Sequence, residues 1–143
     1  MNKITDINIK NKKVLIRVDF NVPIENSAIK NHFRIDSSLK TINYCLSQNA
    51  SIVLMSHLGR PKSIDKKLSL APIVEYLEEK LDTIVHFSED SISSKAIEFS
   101  RNMLPKEIHL LENLRFYNEE CQNDKEFACK LSNHGDIYIC DSF

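Results

Sequence analysis

Five short apolar runs rich in β-branched residues punctuate the chain: Val14–Val18, Ser51–Met55, Thr83–Phe87, Ile108–Leu111 and Asp136–Cys140. Their starts lie 37, 32, 25 and 28 residues apart. Strands of a sandwich or barrel recur at about 8–12 residues, so an all-β fold is excluded. The gaps hold helical periodicity instead. Ile35, Leu39, Ile42 and Leu46 fall at i, i+4, i+7 and i+11 and make one apolar stripe. Leu70, Ile73, Val74, Leu77 and Leu81 make a second, with Ser69 as its predicted N-cap. Asn123 followed by Glu126 resembles a capping box opening a third helix, which carries Phe127, Ala128 and Leu131 and stops near Gly135. Ser91 to Arg101 is a weaker helical segment. Strand and helix alternating in this way predict βαβ crossovers and a mostly parallel sheet. The runs are apolar on both faces, as expected where helices cover both sides. The predicted fold is α/β, a three-layer α/β/α arrangement of about five strands.

In open parallel sheets, ligands bind beyond the carboxyl ends of the strands. After Val18 come Asp19, Phe20 and Asn21; after Met55 come Ser56, His57, Leu58, Gly59 and Arg60; after Leu111 come Glu112, Asn113, Leu114 and Arg115. Arg34 opens the first helix. Arg34, Arg60 and Arg115 with His57 would make a small anion pocket, with Asp19 and Asn21 able to hold a hydroxyl. Ser88, Glu89 and Asp90, after Phe87, read as ordinary solvent loop, and Arg17 inside the first strand reads as structural, paired with a carboxylate. The pattern leaves an alternative open. Each arginine could be a solvated surface charge, and Asp19 to Pro23 no more than a turn after a strand.

Composition narrows the chemistry. The chain has 143 residues, 19 Lys+Arg against 20 Asp+Glu and a formal net charge of -1. That length suits one domain. The balanced charge argues against a nucleic-acid arm or a polybasic membrane patch. No apolar run approaches the ~20 residues needed to cross a bilayer, and the first residues lack the apolar core of a secretory signal. A cytoplasmic protein is expected. Cys45, Cys121, Cys129 and Cys140 include no C-x-x-C pair and read as buried thiols of a reducing compartment. Only two glycines occur, Gly59 and Gly135, too few for a glycine-rich nucleotide loop.

The wording of three segments adds to this reading. Val14-Leu15-Ile16-Arg17-Val18-Asp19-Phe20-Asn21-Val22-Pro23 closely resembles the signature of the phosphoglycerate kinase family. So do Leu54-Met55-Ser56-His57-Leu58-Gly59-Arg60-Pro61-Lys62 and Leu110-Leu111-Glu112-Asn113-Leu114-Arg115-Phe116. Their order and separation resemble the family's amino-terminal domain, and residues 135–143 look like the strand that follows there. The departures are few: Glu25-Asn26-Ser27-Ala28 stands where a glycine-bearing turn is usual, and Asn26 tolerates left-handed backbone angles.

The resemblance implies a kinase that moves a phosphoryl group between 1,3-bisphosphoglycerate and ADP, giving 3-phosphoglycerate and ATP, with Mg²⁺ on the nucleotide. It implies two Rossmann-like domains, the first holding the glycerate and the second the nucleotide. By motif match, Asp19 and Asn21 contact the glycerate and its hydroxyl, and His57, Arg60 and Arg115 surround the 3-phosphate. Arg34 matches the catalytic arginine at the reacting carboxyl end. The expectation for residues 1–143 is an incomplete amino-terminal, phosphoglycerate-binding domain without the nucleotide domain. It would be monomeric, binding neither nucleotide nor metal on its own and having negligible kinase activity, with an exposed sheet edge that leaves it marginally stable. Two alternatives stand beside it: a non-catalytic half-domain that only binds phosphoglycerate, and a segment with no stable fold.

Overall fold

The computed structural model describes residues 7–61, 64–117 and 125–141. Strand β1 (Lys13–Val18) is followed by a two-strand ribbon, β2 (Ile24–Glu25) and β3 (Ala28–Ile29). Then come α1 (Phe33–Ser47), β4 (Ser51–Met55), α2 (Ala71–Leu81), β5 (Val85–Ser88), α3 (Ser94–Arg101), β6 (Ile108–Leu111), α4 (Lys125–Ser132) and β7 (Ile137–Asp141). One-turn 3-10 segments occur at Lys66–Leu68 and Leu114–Phe116. The five long strands form one parallel sheet in the order β5-β6-β4-β1-β7.

The layers follow from this order. From β1 to β4 to β5 the chain moves one way along the sheet, and from β5 to β6 to β7 it returns. A crossover of fixed hand changes face when it changes direction. Accordingly, Ile35, Ile42 and Cys45 of α1 and Ile73, Leu77 and Leu81 of α2 pack on one face, against Val14, Ile16, Ile52, Leu54, Ile108 and Leu110. Phe127 and Leu131 of α4, with Met103, pack on the other, against Leu15, Val53, Met55 and Leu111. The predicted three-layer arrangement with five strands is the one observed.

The details differ where local chemistry overrides the pattern. Residue 83 does not open β5: α2 ends on Asp82 at φ 52, and strand pairing begins only at Val85 opposite Ile108. Ser69 does not cap α2 directly, because Leu70 holds the cap position without a side-chain bond and Pro72 sits in the first turn. The Ser69 hydroxyl still accepts from Ala71 N at 3.1 Å. In the α1 stripe the fully buried positions are Ile35, Ser38, Ile42 and Cys45, with Leu39 and Leu46 on its flank. Ala128 is exposed rather than packed, and Asn123 lies outside the described residues. Not all thiols are buried either: Cys45 is, whereas Cys129 and Cys140 are exposed, and Cys121 lies outside the described residues. The β2–β3 turn forms without glycine, Asn26 and Ser27 both taking left-handed angles (φ 51 and 63). Among the described residues no helix is long and apolar enough to cross a membrane.

Candidate functional site: a basic rim at the carboxyl edge of the sheet

Adjacent strands whose following helices leave to opposite faces open a crevice at their carboxyl ends. Here β4 leads to α2 on one face and β6 to α4 on the other, and the two strands are neighbours. The crevice therefore lies between the loop after β4 and the turn after β6, with β1 beside it. All six residues expected from the sequence sit on this rim.

Asp19 ends β1 almost buried, 7% exposed. Its Oδ1 accepts from Asn21 N at 3.1 Å, an Asx turn that folds the chain back on itself. Arg34, in the first turn of α1, donates from Nη1 to Asp19 Oδ2 at 3.2 Å and Oδ1 at 3.4 Å. About half of that arginine side chain is exposed (48%), so the pair adds less than about 1 kcal/mol to stability and leaves the guanidinium open to a stronger anion. Asn21 Oδ1 accepts from Gly59 N at 3.0 Å, tying the β1 loop to the β4 loop. Phe20 N donates to the buried Ser56 Oγ at 2.9 Å and reinforces the same junction. His57 is half-buried and Arg60 exposed, flanking Leu58 and Gly59.

The β6 side is tied in as tightly. Leu114 N donates to Ser56 O at 3.0 Å. Arg115 is half-buried, and its Nε is shielded from solvent without a hydrogen-bond partner among the described residues. Such a donor is costly unless something outside the chain accepts from it. Arg34, Asp19, Asn21, Gly59, Leu58, Asn113 and Arg115 thus follow one another through direct contacts along one edge.

Two residues on this edge went unassigned in the sequence reading. Glu112 is 7% exposed and accepts from Ser69 Oγ at 2.5 Å, Leu70 N at 2.8 Å and Asn113 N at 2.8 Å. It satisfies the start of α2, a role its own side chain takes in place of a conventional cap. Asn113 is wholly buried at the crevice itself. The available signal was a pair of polar residues directly after the four buried residues of β6, a place where polarity without burial would need no explanation. Ser88, read as solvent loop, belongs to β5 and bonds His109.

The donor set on this rim, three arginines and a histidine, fits an anion. Among the described residues no three His, Cys, Asp or Glu side chains gather where a metal ion could be held. The larger clefts of about 780, 810 and 700 Å³ lie away from the four cationic side chains, flanking β5 with α3, the start of α2, and α4 with β7. A smaller cleft of about 400 Å³ opens at the rim itself, lined by Asn21, Leu58 and Gly59 with Lys67 and Leu68.

A parallel α/β sheet with basic residues placed along its carboxyl rim has the chemistry to receive a small anion at its strand ends. The family model for phosphoglycerate kinase matches residues 4–143, and the chain belongs to the phosphoglycerate kinase family. Phosphoglycerate kinase of Finegoldia magna is 46% identical over 148 residues, covering all of this chain and 38% of that protein. That of Aquifex aeolicus is 42% identical over 139 residues, covering 96% of this chain and 35% of that protein. The solved phosphoglycerate kinase of Pyrococcus horikoshii superposes with a TM-score of 0.87 at 32% identity, over 99% of this chain and 36% of that one. That of Coxiella burnetii gives 0.85 at 34% identity, over 97% and 34%. The chain spans about a third of the length of the curated relatives it matches.

Proposed function

We propose that this chain forms the phosphoglycerate-binding part of a phosphoglycerate kinase. In that reaction the bond between the acyl oxygen and phosphorus of 1,3-bisphosphoglycerate breaks and ADP accepts the phosphoryl group, leaving the carboxylate of 3-phosphoglycerate. The observation that carries this reading is the contact chain bringing Asp19, Asn21, Arg34, the Leu58–Arg60 segment and Arg115 to one rim. Arg60, Arg115 and His57 hold the 3-phosphate, the unpartnered Arg115 Nε being one of the donors. Asn21 and Asp19 hold the hydroxyl end. Arg34 exchanges Asp19 for the reacting carboxyl group, where a planar guanidinium offsets charge that spreads over phosphoryl oxygens without transferring a proton. Magnesium on the nucleotide offsets further phosphate charge when bound, from outside this set of residues. The net charge of -1 suits a monomeric cytoplasmic protein whose ligand is the metabolite rather than nucleic acid or a membrane.

Titration calorimetry of the chain with 3-phosphoglycerate tests this. Each charge-assisted hydrogen bond contributes about 1.5–3 kcal/mol, so Arg60→Ala and Arg115→Ala are each expected to weaken binding by about 10- to 100-fold, with affinity falling steeply as salt rises. Affinity unchanged in both variants would falsify the assignment. An assay for ATP formation from bisphosphoglycerate and ADP is expected to show no turnover by the chain alone, since all six residues serve the glycerate. Turnover would mean that this chain also carries a nucleotide site.

A further inference from the structure

We propose that Asn113 is a positioning residue for the phosphoglycerate anion, setting the loop that bears His57 and Arg60 against the turn that bears Arg115. The inference rests on the phosphoglycerate reading above and adds a residue to it. An asparagine amide has two acceptor lone pairs and two N–H donors. Asn113 uses all four. Its Oδ1 accepts from Leu58 N at 3.1 Å and from Arg115 N at 2.9 Å. Its Nδ2 donates to Leu58 O at 2.8 Å and Leu68 O at 2.9 Å. The residue is 0% exposed, so water cannot substitute for any of these partners.

The location gives the bonds their meaning. Asn113 stands in the crevice between β4 and β6, whose following segments part toward opposite faces of the sheet. Past the ladder the main-chain bond from Leu114 N to Ser56 O at 3.0 Å joins the two segments next to the strand ends and leaves the gap beyond it to side chains. The Asn113 side chain spans it, holding both main-chain groups of Leu58 on one side and Arg115 N on the other. Leu58 lies one residue from His57 and two from Arg60. The same side chain also grips Leu68, at the end of the 3-10 segment that returns the β4 loop to α2. Asn21 performs the matching task on the other flank through Gly59 N, so the Leu58–Gly59 segment is clamped between two amides.

A ligand gripped by groups from both segments gains from having their spacing set in advance, because misplacement of about 1 Å can cost about 100-fold. A residue that merely stabilised the fold would change the melt and leave the coupling of the two segments intact. The test uses Asn113→Asp and Asn113→Ser in the 143-residue chain, titrated with 3-phosphoglycerate by calorimetry and by amide-resolved NMR. In the unaltered chain, the Gly59 and Arg115 amides are expected to shift together with one half-saturation point. In the variants, affinity is expected to fall at least about 10-fold and the ligand-induced shifts of the two amides at saturation to change in size relative to each other, while the β5 and α3 signals stay in place. Folded variants that bind with unchanged affinity and unchanged shift sizes at Gly59 and Arg115 overturn the proposal.

An unaltered chain that does not bind removes the phosphoglycerate reading itself, and the positioning role with it; binding by the unaltered chain isolates the failure to Asn113. Should neither variant fold, hydrogen exchange in the unaltered chain decides. The Leu58 and Arg115 amides share one acceptor, so saturating 3-phosphoglycerate is expected to slow both by the same factor, about 10-fold or more. Slowing of one without the other refutes the role.

Discussion

Acidification from pH 7.5 to 4.5 is expected to remove about 3 kcal/mol or more of folding stability from this chain, through a buried relay of two histidines. His109 of β6 and His134, before β7, are both 0% exposed. His134 Nε2 lies 2.6 Å from Ser91 O; a carbonyl only accepts, so this nitrogen donates. The neutral ring then accepts at Nδ1 from Ser100 Oγ at 2.6 Å. Ser100 Oγ in turn receives the Nδ1 proton of His109 at 2.8 Å, and His109 Nε2 accepts from Ser88 Oγ at 2.6 Å. Every site is occupied by neutral rings, and a further proton on either ring must displace an existing donor.

The other groups around the relay do not welcome a cation. His86 of β5 pairs with Glu107 at 3.3 Å and lies tilted by 55° against Phe99, and the Phe99 ring meets His109 edge-on. Burial, aided by the neighbouring His134 and His86, pushes His109 down to about 3, and burial also lowers His134. The sign follows directly. Above about 6.5 neither state binds these protons and stability is complete; below it the unfolded chain takes them up while the folded chain does not, until about pH 3 for His109. For His109 this costs about 1.4 kcal/mol per pH unit across that window, and His134 adds to it in the same direction. Asp141 works in the opposite sense, since burial raises its carboxyl and the folded state holds that proton more tightly. Urea unfolding at a series of pH values measures the sum. His109→Gln is expected to lose stability at neutral pH and to flatten the pH dependence by about one proton; a chain equally stable at pH 7.5 and 5 would show that the relay is not kept neutral.

The strands, the helices and their covering of both faces were legible because burial on two sides demands runs such as Ile52, Val53, Leu54 and Met55, and amphipathic helices demand the α1 and α2 stripes. The rim was legible for a related reason: parallel sheets put chemistry at strand ends, and Asp19, Arg60 and Arg115 follow strands directly. The histidine relay was not legible. His109 alternates within an apolar strand and His134 sits 25 residues later beside a turn; only the return of the chain through α4 brings them together on Ser100. Asn113 escaped for the opposite reason. Its position beside the rim was visible, but an amide satisfied by four main-chain partners and an amide facing solvent look the same in a sequence. Arg34 was read as part of the anion pocket, and its pairing with Asp19 depends on how α1 is aimed, which periodicity does not specify.

The scarcity of glycine, which argued against a nucleotide loop, has a structural counterpart. With two glycines in the chain, each occupies a place where a side chain is hard to fit, and for different reasons. Gly59 takes φ +63, and an added Cβ would come 3.0 Å from Leu68 Cδ2, the movable end of a side chain. Gly135 would put its Cβ 2.9 Å from Leu15 N and 3.2 Å from Lys13 O, both main-chain atoms of β1. The neighbouring Asp136 N donates to the same Lys13 O at 2.8 Å, which leads β7 into its pairing with Val14 to Val18. A side chain can turn aside, whereas a strand in a ladder cannot. Because β7 pairs only with β1 in the described sheet, relief at Gly135 must come from pushing that edge strand away.

Gly135→Ala is therefore expected to cost about 2–3 kcal/mol, the range of overpacking against rigid neighbours, and Gly59→Ala about 1 kcal/mol for the left-handed backbone. In a chain of this size these correspond to melting points lowered by about 10 °C and about 4 °C. Binding should rank the two the other way. Gly59 N is the donor to Asn21 Oδ1 and adjoins Arg60, so Gly59→Ala is expected to weaken 3-phosphoglycerate binding by about 10-fold. Gly135→Ala, at the amino-terminal edge of the sheet, should leave it within about twofold when measured well below its melt. Thermal melts and calorimetry on the two variants decide the matter, and a single order of severity in both measurements would mean that rim geometry and sheet stability are not separable in this fold.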